Sequence, residues 1–265
     1  MKWWFSDYDG TINLKHNNYI DPRDLDFIKR WIKDGNKFAI ATGRMEHEIR
    51  PVLESSNIPY DYMICNNGAV IYDKENGILE SASIPMESRK DIIELFDTLK
   101  DEYILGYCLK DQRMGYSRVE VEEIYSNPFL NEYATKENNF EKGNNDILNS
   151  PDLNLLYFFV AVKDIEKVKK IIDGKIKGCK AVRTHQNVIE IMREDVSKAY
   201  GIKILQEINN FSLEDVYTSG DGENDIEMLE LTNNSFAMRN HQTNVDKAAK
   251  YIIDNVYEIE KIKFL

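Results

Sequence analysis

Short apolar strands and amphipathic helices alternate at both ends of the sequence, and this alternation is the feature that most constrains the fold. The N-terminal part predicts strands at Trp3–Ser6, Phe38–Ala41 and Tyr62–Cys65, with helices between them. The alternation returns near the C-terminus, from a helix capped by Ser197 to a strand at Tyr251–Ile253. Strands that alternate with helices form parallel sheets with right-handed crossovers. We therefore expect an α/β fold with a doubly wound, mostly parallel sheet.

The middle of the chain follows a different pattern. A helix at Pro85–Lys100 precedes several predicted strands, among them Gly115–Val121. A helix followed by hairpins is typical of an α+β domain. The prediction is an inserted α+β domain at residues 84–190, with a core domain formed by residues 1–83 and 191–265.

Composition and charge exclude several classes of partner. The net charge of −12 repels nucleic acids and anionic membranes, so we expect neither as a partner. The sequence has no apolar run long enough for a transmembrane helix and no signal-peptide pattern, so the expected location is the cytoplasm. The three cysteines are widely scattered, which argues against a zinc site or a disulfide framework.

Polar side chains concentrate in four short segments, each at the end of a predicted strand or the start of a helix. The segments are Asp7-Tyr8-Asp9-Gly10-Thr11, Ala41-Thr42-Gly43-Arg44, Ser197-Lys198 and Gly220-Asp221-Gly222-Glu223-Asn224-Asp225. In doubly wound sheets, ligands bind beyond the carboxyl ends of the strands. We therefore expect the four segments to meet at one site.

Asp7 and Asp9 follow the first strand, and side chains two residues apart in a strand lie on one face. Gly10 permits a sharp turn there, so both carboxylates can converge on one reacting centre. A carboxylate can attack phosphorus, and a second one can exchange a proton with the leaving oxygen and then with water. The plain alternative is a solvated acidic turn, in which Asp and Gly are ordinary residues.

Asp221 and Asp225 suggest a metal site. Mg²⁺ prefers oxygen ligands, and Asp221 at a strand end can complete a site with Asp7 and the backbone carbonyl of Asp9. Asp225 would support this site from the first turn of the next helix. The alternative is a helix N-terminus with acidic residues, which favour the helix dipole. That alternative explains Asp225 better than it explains two acidic turns far apart in sequence.

Several other residues are candidates for contact with a phosphoryl group. The hydroxyl of Thr42 suits a phosphoryl oxygen, although a simple N-cap is an alternative. Lys198 in a first helical turn opposes the helix dipole unless an anion lies nearby; a solvated lysine is the alternative. The remaining candidates can be either turn residues or residues that contact the ligand. They are Gly10, Gly43, Arg44, Asn67, Gly68 and Asn224.

Together these segments resemble the haloacid dehalogenase (HAD) superfamily of phosphotransferases, and within it the Cof-like sugar-phosphatase branch with a class IIB cap. The resemblance covers nearly the whole chain, and the order of its motifs is specific. The motifs are DYDGT, ATGR, CNNGA, EIMREDVSKAYGI, GDGENDIEML and FAMRN. Tyr8 departs from the pattern, because a small or aliphatic residue is commoner at that position.

The resemblance implies a role for each residue. Asp7 would be the nucleophile and Asp9 the general acid/base, while Thr42 and Lys198 would contact the phosphoryl oxygens and offset charge. Asp7, the Asp9 carbonyl and Asp221 would bind Mg²⁺, with Asn224 and Asp225 in support. The inserted domain would be a cap that closes over the core and selects the leaving group.

The expected function is therefore that of a Mg²⁺-dependent phosphatase acting on phosphate monoesters of small metabolites, such as sugar phosphates, through an aspartyl-phosphate. The expected partner is a small phosphorylated metabolite, and the expected assembly is a monomer or a weak homo-oligomer. Two alternatives stay open. A phosphomutase would use the same aspartyl nucleophile, and a non-catalytic sensor would bind a phosphorylated metabolite without turnover.

Overall fold

The computed structural model describes residues 1–110, 112–116, 134–135, 139–185 and 187–263. These residues divide into two units, and the chain leaves the first unit once and returns to it once. The first unit contains Met1–Glu80 and the residues from Val196 onward, and the second contains Ser81–Asp195. The predicted domain limits at residues 84 and 190 fall inside the second unit.

The strands and helices of the described residues are numbered in chain order. The strands are β1 Trp3–Ser6, β2 Lys37–Ala41, β3 Tyr62–Cys65, β4 Val70–Asp73, β5 Gly77–Ser81, β6 Ile104–Leu109, β7 Gln112–Gly115, β8 Ala134–Thr135, β9 Leu153–Phe159, β10 Cys179–His185, β11 Val188–Arg193, β12 Val216–Gly220, β13 Asn234–Met238 and β14 Tyr251–Ile253. The helices are α1 Pro22–Lys33, α2 Glu46–Ser55, α3 Arg89–Leu99, α4 Phe140–Asn149, α5 Ile165–Ile172, α6 Lys198–Asn209, α7 Ile226–Glu230, α8 Val245–Ala248 and α9 Glu258–Lys263. None of these helices is both long enough and apolar enough to cross a lipid bilayer.

The larger sheet belongs to the first unit and has the strand order β14-β13-β12-β1-β2-β3-β4-β5. Every pair from β14 to β3 is parallel, and β4 is antiparallel to β3. The chain winds outward from β1 in one direction through β2 and β3, and from β12 in the other direction through β13 and β14. The predicted doubly wound sheet is confirmed. Its winding reverses between β1 and β12, where such sheets bind ligands.

Aromatic side chains pack on both faces of β1 and hold it at the centre of the sheet. Trp3 stacks on Phe211 with ring centroids 4.2 Å apart, and Trp4 packs against Phe38 at 4.5 Å. Both tryptophans are buried, because successive residues of a strand point to opposite covered faces. The position of the next residues in the chain, including Asp7, is therefore set by a closely packed core.

Strands β4 and β5 are not among the predicted strands. Val70–Asp73 pairs with β3 in antiparallel register, with Tyr62 opposite Asp73. Gly77–Ser81 is only partly buried and has no continuous apolar run, so the sequence pattern does not reveal β5. After β12, residues Glu223–Asp225 form a 3₁₀ turn, and the short helix α7 follows it.

The second unit contains a six-stranded sheet with the order β10-β11-β9-β6-β7-β8. Its pairs are antiparallel except for β7 with β8. The described helices of this unit bury apolar residues against one face of the sheet, with Phe96 of α3 against Phe158 of β9 as an example. The predicted α+β pattern is confirmed. The predicted strand Gly115–Val121 is described only at its start, since residues 117–121 lie outside the described residues.

Candidate active site

The carboxyl ends of β1 and β12 bring two acidic segments together. Asp7 directly follows β1, and its backbone N–H donates to the Ser219 carbonyl of β12 at 2.9 Å. Asp221 directly follows β12 and accepts a hydrogen bond from the Thr11 hydroxyl at 3.0 Å. Carboxylate oxygens of Asp7, Asp221 and Asp225 all lie within 4.8 Å of one another. The structure thus places the first and the last of the four predicted segments in one cluster.

Glycine is required where these segments touch. Gly10 has a φ of +91°, and a Cβ at this residue would lie 2.3 Å from a carboxylate oxygen of Asp221. A Cβ at Gly220 would lie 2.4 Å from the Asp225 carboxyl carbon. Real side chains do not approach so closely, so both glycines make room for carboxylates. Gly10, predicted as a phosphate contact, therefore lies against Asp221.

Lys198 connects the carboxylates from the start of α6. Its Nζ donates to Asp7 Oδ1 and to Asp225 Oδ1, each at 2.6 Å, and its side chain is completely buried. Ser197 caps the helix by accepting a hydrogen bond from the Tyr200 N–H. Burial alone would lower the pKa of Lys198, but attraction to Asp225 and Asp7 outweighs it and holds the pKa above its ordinary value. The ammonium group therefore stays charged.

Asp225 orients the turn that carries Asp221. Its Oδ2 accepts hydrogen bonds from the backbone N–H groups of Asp221 and Gly222, both at 2.9 Å, while its Oδ1 accepts from Lys198. The side chain is almost fully buried. With both oxygens engaged in this way, Asp225 suits the supporting role better than that of a direct metal ligand.

The cluster carries more negative charge than its lysine can offset. Burial raises the pKa of Asp7 well above its ordinary value; Lys198 opposes this rise, and repulsion from Asp225 and Asp221 adds to it. Burial, and then repulsion from Asp225, raise the pKa of Asp221 to about 7 from an ordinary value of 3.8. Buried carboxylates that repel one another favour a bound cation, and an all-oxygen donor set suits Mg²⁺. The residues present therefore fit a divalent metal ion.

Asp9 makes a separate set of contacts. Its two carboxylate oxygens accept hydrogen bonds from Nε and Nη2 of Arg44, each at 2.6 Å, in a bidentate ion pair. Asn13 Nδ2 donates to Asp9 Oδ1 at 3.1 Å. The Arg44 guanidinium also lies over the ring of Tyr8, 5.2 Å from its centroid. Arg44, predicted as a substrate contact, is thus held on the predicted acid/base.

A further group of predicted residues meets beside the second strand. Thr42 is buried, and its hydroxyl oxygen accepts from the Arg44 N–H at 3.1 Å. Asn67 Oδ1 accepts from Asn224 Nδ2 at 2.8 Å. A Cβ at Gly43 would lie 3.2 Å from the Asn67 amide group. These contacts are made within the chain, and they link two of the predicted segments.

Thr11 and Asn13 contact catalytic candidates but are not among the predicted site residues. Thr11 belongs to the first acidic segment, Asp7-Tyr8-Asp9-Gly10-Thr11. This position in the sequence could have indicated that it reaches Asp221. Asn13 follows that motif, and its amide also donates to Asn18 Oδ1 at 3.2 Å. Which loop residue turns back toward Asp9 depends on the path of the loop, and the residue types alone do not specify that path.

Comparison with known proteins gives a consistent result. A sequence profile of the haloacid dehalogenase-like hydrolases matches residues 4–260. A protein of Buchnera aphidicola subsp. Schizaphis graminum with the provisional name phosphatase is 28% identical over 264 residues, covering 93% of this chain and 87% of that protein. A solved HAD subclass IIB sugar phosphatase superimposes with a TM-score of 0.80 and 22% identity, covering 99% of this chain and 98% of that one. A haloacid dehalogenase-like hydrolase from B. subtilis gives a TM-score of 0.82 and 20% identity, with full coverage of both chains.

Binding of Mg²⁺ is expected to depend on pH through Asp221. Its pKa of about 7 exceeds its ordinary value of 3.8, so between these values the folded protein binds more protons than the unfolded chain. Without metal, the free energy of unfolding should therefore fall as pH rises toward 7. Mg²⁺ needs the ionised carboxylate, so it should raise the melting temperature more above pH 7 than below it.

Thermal unfolding with and without MgCl₂, on both sides of this pH, measures the effect. The matched control is Asp221→Asn, which removes the titrating group and should abolish most of the Mg²⁺ effect at either pH. A Mg²⁺ stabilisation that is equal at both pH values, or that persists in Asp221→Asn, would contradict the assignment.

Proposed function

We propose, since this chain belongs to the family of haloacid dehalogenase-like hydrolases, that it hydrolyses phosphate monoesters of small metabolites by way of a phosphoryl group carried on Asp7. The observation that carries the proposal is the buried contact between Lys198 and Asp7 beside Asp221. In this arrangement the Asp7 carboxylate lies at the end of the central strand β1, next to the Lys198 ammonium group and to the carboxylate oxygens of Asp221 and Asp225. Such a group is suited to attack an electrophilic phosphorus atom.

In the first step a carboxylate oxygen of Asp7 forms a bond to phosphorus, and the bond between phosphorus and the leaving oxygen breaks. The leaving oxygen takes a proton from Asp9 and departs as an alcohol. In the second step water attacks the phosphorus of the aspartyl-phosphate, and Asp9 accepts the proton that this water loses. The Asp7 carboxylate and inorganic phosphate are the products, so the enzyme returns to its starting state.

Lys198 contributes electrostatic stabilisation without moving. Its ammonium group is 2.6 Å from Asp7 Oδ1, and Asp225 holds it from the other side. A charge that is already oriented in a buried site stabilises negative charge on a transferring phosphoryl group more than a solvated charge does. Thr42 would donate its hydroxyl to a phosphoryl oxygen from the end of β2.

Asp7, Asp221 and the Asp9 carbonyl would hold Mg²⁺, with Asp225 orienting the Asp221 turn. When bound, the ion supplies positive charge that offsets the charge of the phosphoryl oxygens. The same arrangement explains why the chain tolerates several buried carboxylates in one place, because a divalent cation compensates for their mutual repulsion.

Arg44 positions Asp9 for proton transfer. The bidentate pair fixes the carboxylate in one plane, and the ring of Tyr8 supports the guanidinium. The ionised pair suits Asp9 as the base of the second step. In the first step Asp9 gives its proton to the leaving oxygen.

The substrate class is proposed to be sugar phosphates or related small phosphate esters. A sugar phosphatase is among the solved structures with the same fold. We propose that the second unit, Ser81–Asp195, selects the leaving group, and that the enzyme acts in the cytoplasm on small metabolites. The net charge of −12 is consistent with a binding site that depends on a local cation to attract a phosphate ester.

Replacing the nucleophile tests the reaction directly. Asp7→Asn should lower the turnover of p-nitrophenyl phosphate by about 10⁴-fold or more, because an amide cannot form the aspartyl-phosphate. EDTA should silence the unmodified enzyme, and added Mg²⁺ should restore it. Phosphate release and thermal unfolding are measured together, so that loss of activity is separated from loss of fold. Retained activity in a folded Asp7→Asn protein would show that another group is the nucleophile.

Arg44→Lys tests the positioning of Asp9. The lysine keeps the charge but loses the bidentate contact, so kcat should fall by about 10-fold to 100-fold, as expected for loss of a hydrogen bond to a charged group. A change in KM alone, with kcat unaltered, would instead support the substrate contact that the sequence predicts for Arg44.

A further inference from the structure

The turn after β3 has an unusual backbone. Asn66, Asn67 and Gly68 follow one another with φ angles of 51°, 53° and 107°. Glycine adopts positive φ freely, but any other residue does so at a cost, which asparagine bears better than most. Asn66 and Asn67 are also buried. Consecutive left-handed residues in a buried position persist only when their surroundings determine the conformation, and such strain concentrates at functional sites.

The backbone of this turn holds the segment that contains Thr42. The Asn67 N–H donates to the Thr42 carbonyl, and the Asn66 N–H donates to the Arg44 carbonyl, both at 3.0 Å. Gly43 lies between these two carbonyls and directly against the Asn67 amide. Because the left-handed conformation directs both N–H groups toward one neighbouring segment, the strain is offset by contacts with the predicted phosphate-binding loop.

The other side of the turn lies against the helix that begins at Lys198. A Cβ at Gly68 would lie 1.9 Å from the Ser197 carbonyl oxygen and 3.2 Å from the Lys198 backbone nitrogen. Any side chain at Gly68 would therefore displace the start of α6. The absence of a Cβ at this residue allows the buried Lys198 ammonium to reach Asp7.

The Asn67 side chain reaches a third segment. Its Oδ1 accepts a hydrogen bond from Asn224 Nδ2 at 2.8 Å, and Asn224 directly precedes Asp225 in the 3₁₀ turn after β12. Asp225 in turn holds Lys198 and the backbone of Asp221. One residue thus contacts the Thr42 segment through its backbone and the Asp225 turn through its side chain.

We infer that Asn67 is a positioning residue that sets the spacing between the phosphate-binding loop at Thr42 and the turn that carries Asp221 and Asp225. The inference rests on the proposed function. The expectation that Asn67 and Gly68 contact the phosphate stays a prediction, and the positioning role is argued from the contacts that Asn67 makes with the Thr42 segment and with Asn224. Asn67 acts on the reaction through Asn224, and its amide need not touch the substrate.

A double-mutant cycle tests this role. Asn67→Gly keeps the left-handed backbone accessible and removes the amide, and Asn224→Ala removes the other partner of the hydrogen bond. Each variant should lower kcat for p-nitrophenyl phosphate by about 10-fold, with KM changed by no more than about twofold, since chemistry rather than substrate binding is affected. The double variant should be no slower than the slower single variant, because both substitutions remove one shared interaction.

The matched control is Asn210→Gly. Asn210 is an exposed asparagine with a φ of 53° at the end of α6, away from the candidate site residues in sequence. Its replacement should leave kcat unchanged and should alter the melting temperature only slightly. This control separates the effect of glycine at a left-handed position from the loss of the Asn67 amide.

Three results would overturn the inference. Asn67→Gly could keep the kcat of the unmodified enzyme, or the losses in the double variant could multiply as for independent sites. Failure of Asn67→Gly to fold, while Asn210→Gly folds, would assign Asn67 to folding instead. A separate outcome concerns the proposed function itself, which fails if the unmodified protein releases no phosphate from any substrate with Mg²⁺. That outcome differs from an active enzyme that tolerates Asn67→Gly, because only the second result tests the inference alone.

Discussion

The buried ammonium group of Lys198 is the interaction on which the arrangement of the site depends. It joins Asp7 at the end of β1 to Asp225 in the turn after β12, and Asp225 holds the backbone of Asp221. A buried charge is costly unless it is paired and fully hydrogen-bonded, so this contact fixes the relative positions of three separate chain segments. The remaining negative charge favours a bound divalent cation.

Glycine and close packing allow these charged groups to approach one another. Gly10 and Gly220 provide room for Asp221 and Asp225, and Gly68 provides room for the start of α6. The tryptophans of β1 hold the central strand from both faces. The hydrophobic core therefore sets the position of Asp7, the glycines permit the close contacts, and the ion pairs determine the orientation of each carboxylate. Asp7, the proposed nucleophile, would therefore need little rearrangement before it attacks phosphorus.

The sequence predicts the architecture and the meeting of Asp7 with Asp221, because residues after parallel strands share one edge of a sheet. It does not predict the partners that depend on side-chain direction. The pairing of Arg44 with Asp9 and the hydrogen bond between Asn67 and Asn224 were not predicted. Both pairings depend on the paths of loops. The pairing of Asn67 also depends on a left-handed backbone conformation, which asparagine permits but does not require. Strand β5 escaped prediction for a simpler reason, since it is only partly buried and has no continuous apolar run.

Anomalous diffraction from crystals soaked in Mn²⁺, a hard divalent ion that accepts the same oxygen ligands as Mg²⁺, tests the central claim most directly. The account predicts one strong peak in coordination contact with carboxylate oxygens of both Asp7 and Asp221, and loss of that peak in Asp221→Asn. A peak bound elsewhere, or carboxylates of Asp7 and Asp221 that point into separate regions with no ion between them, would contradict it.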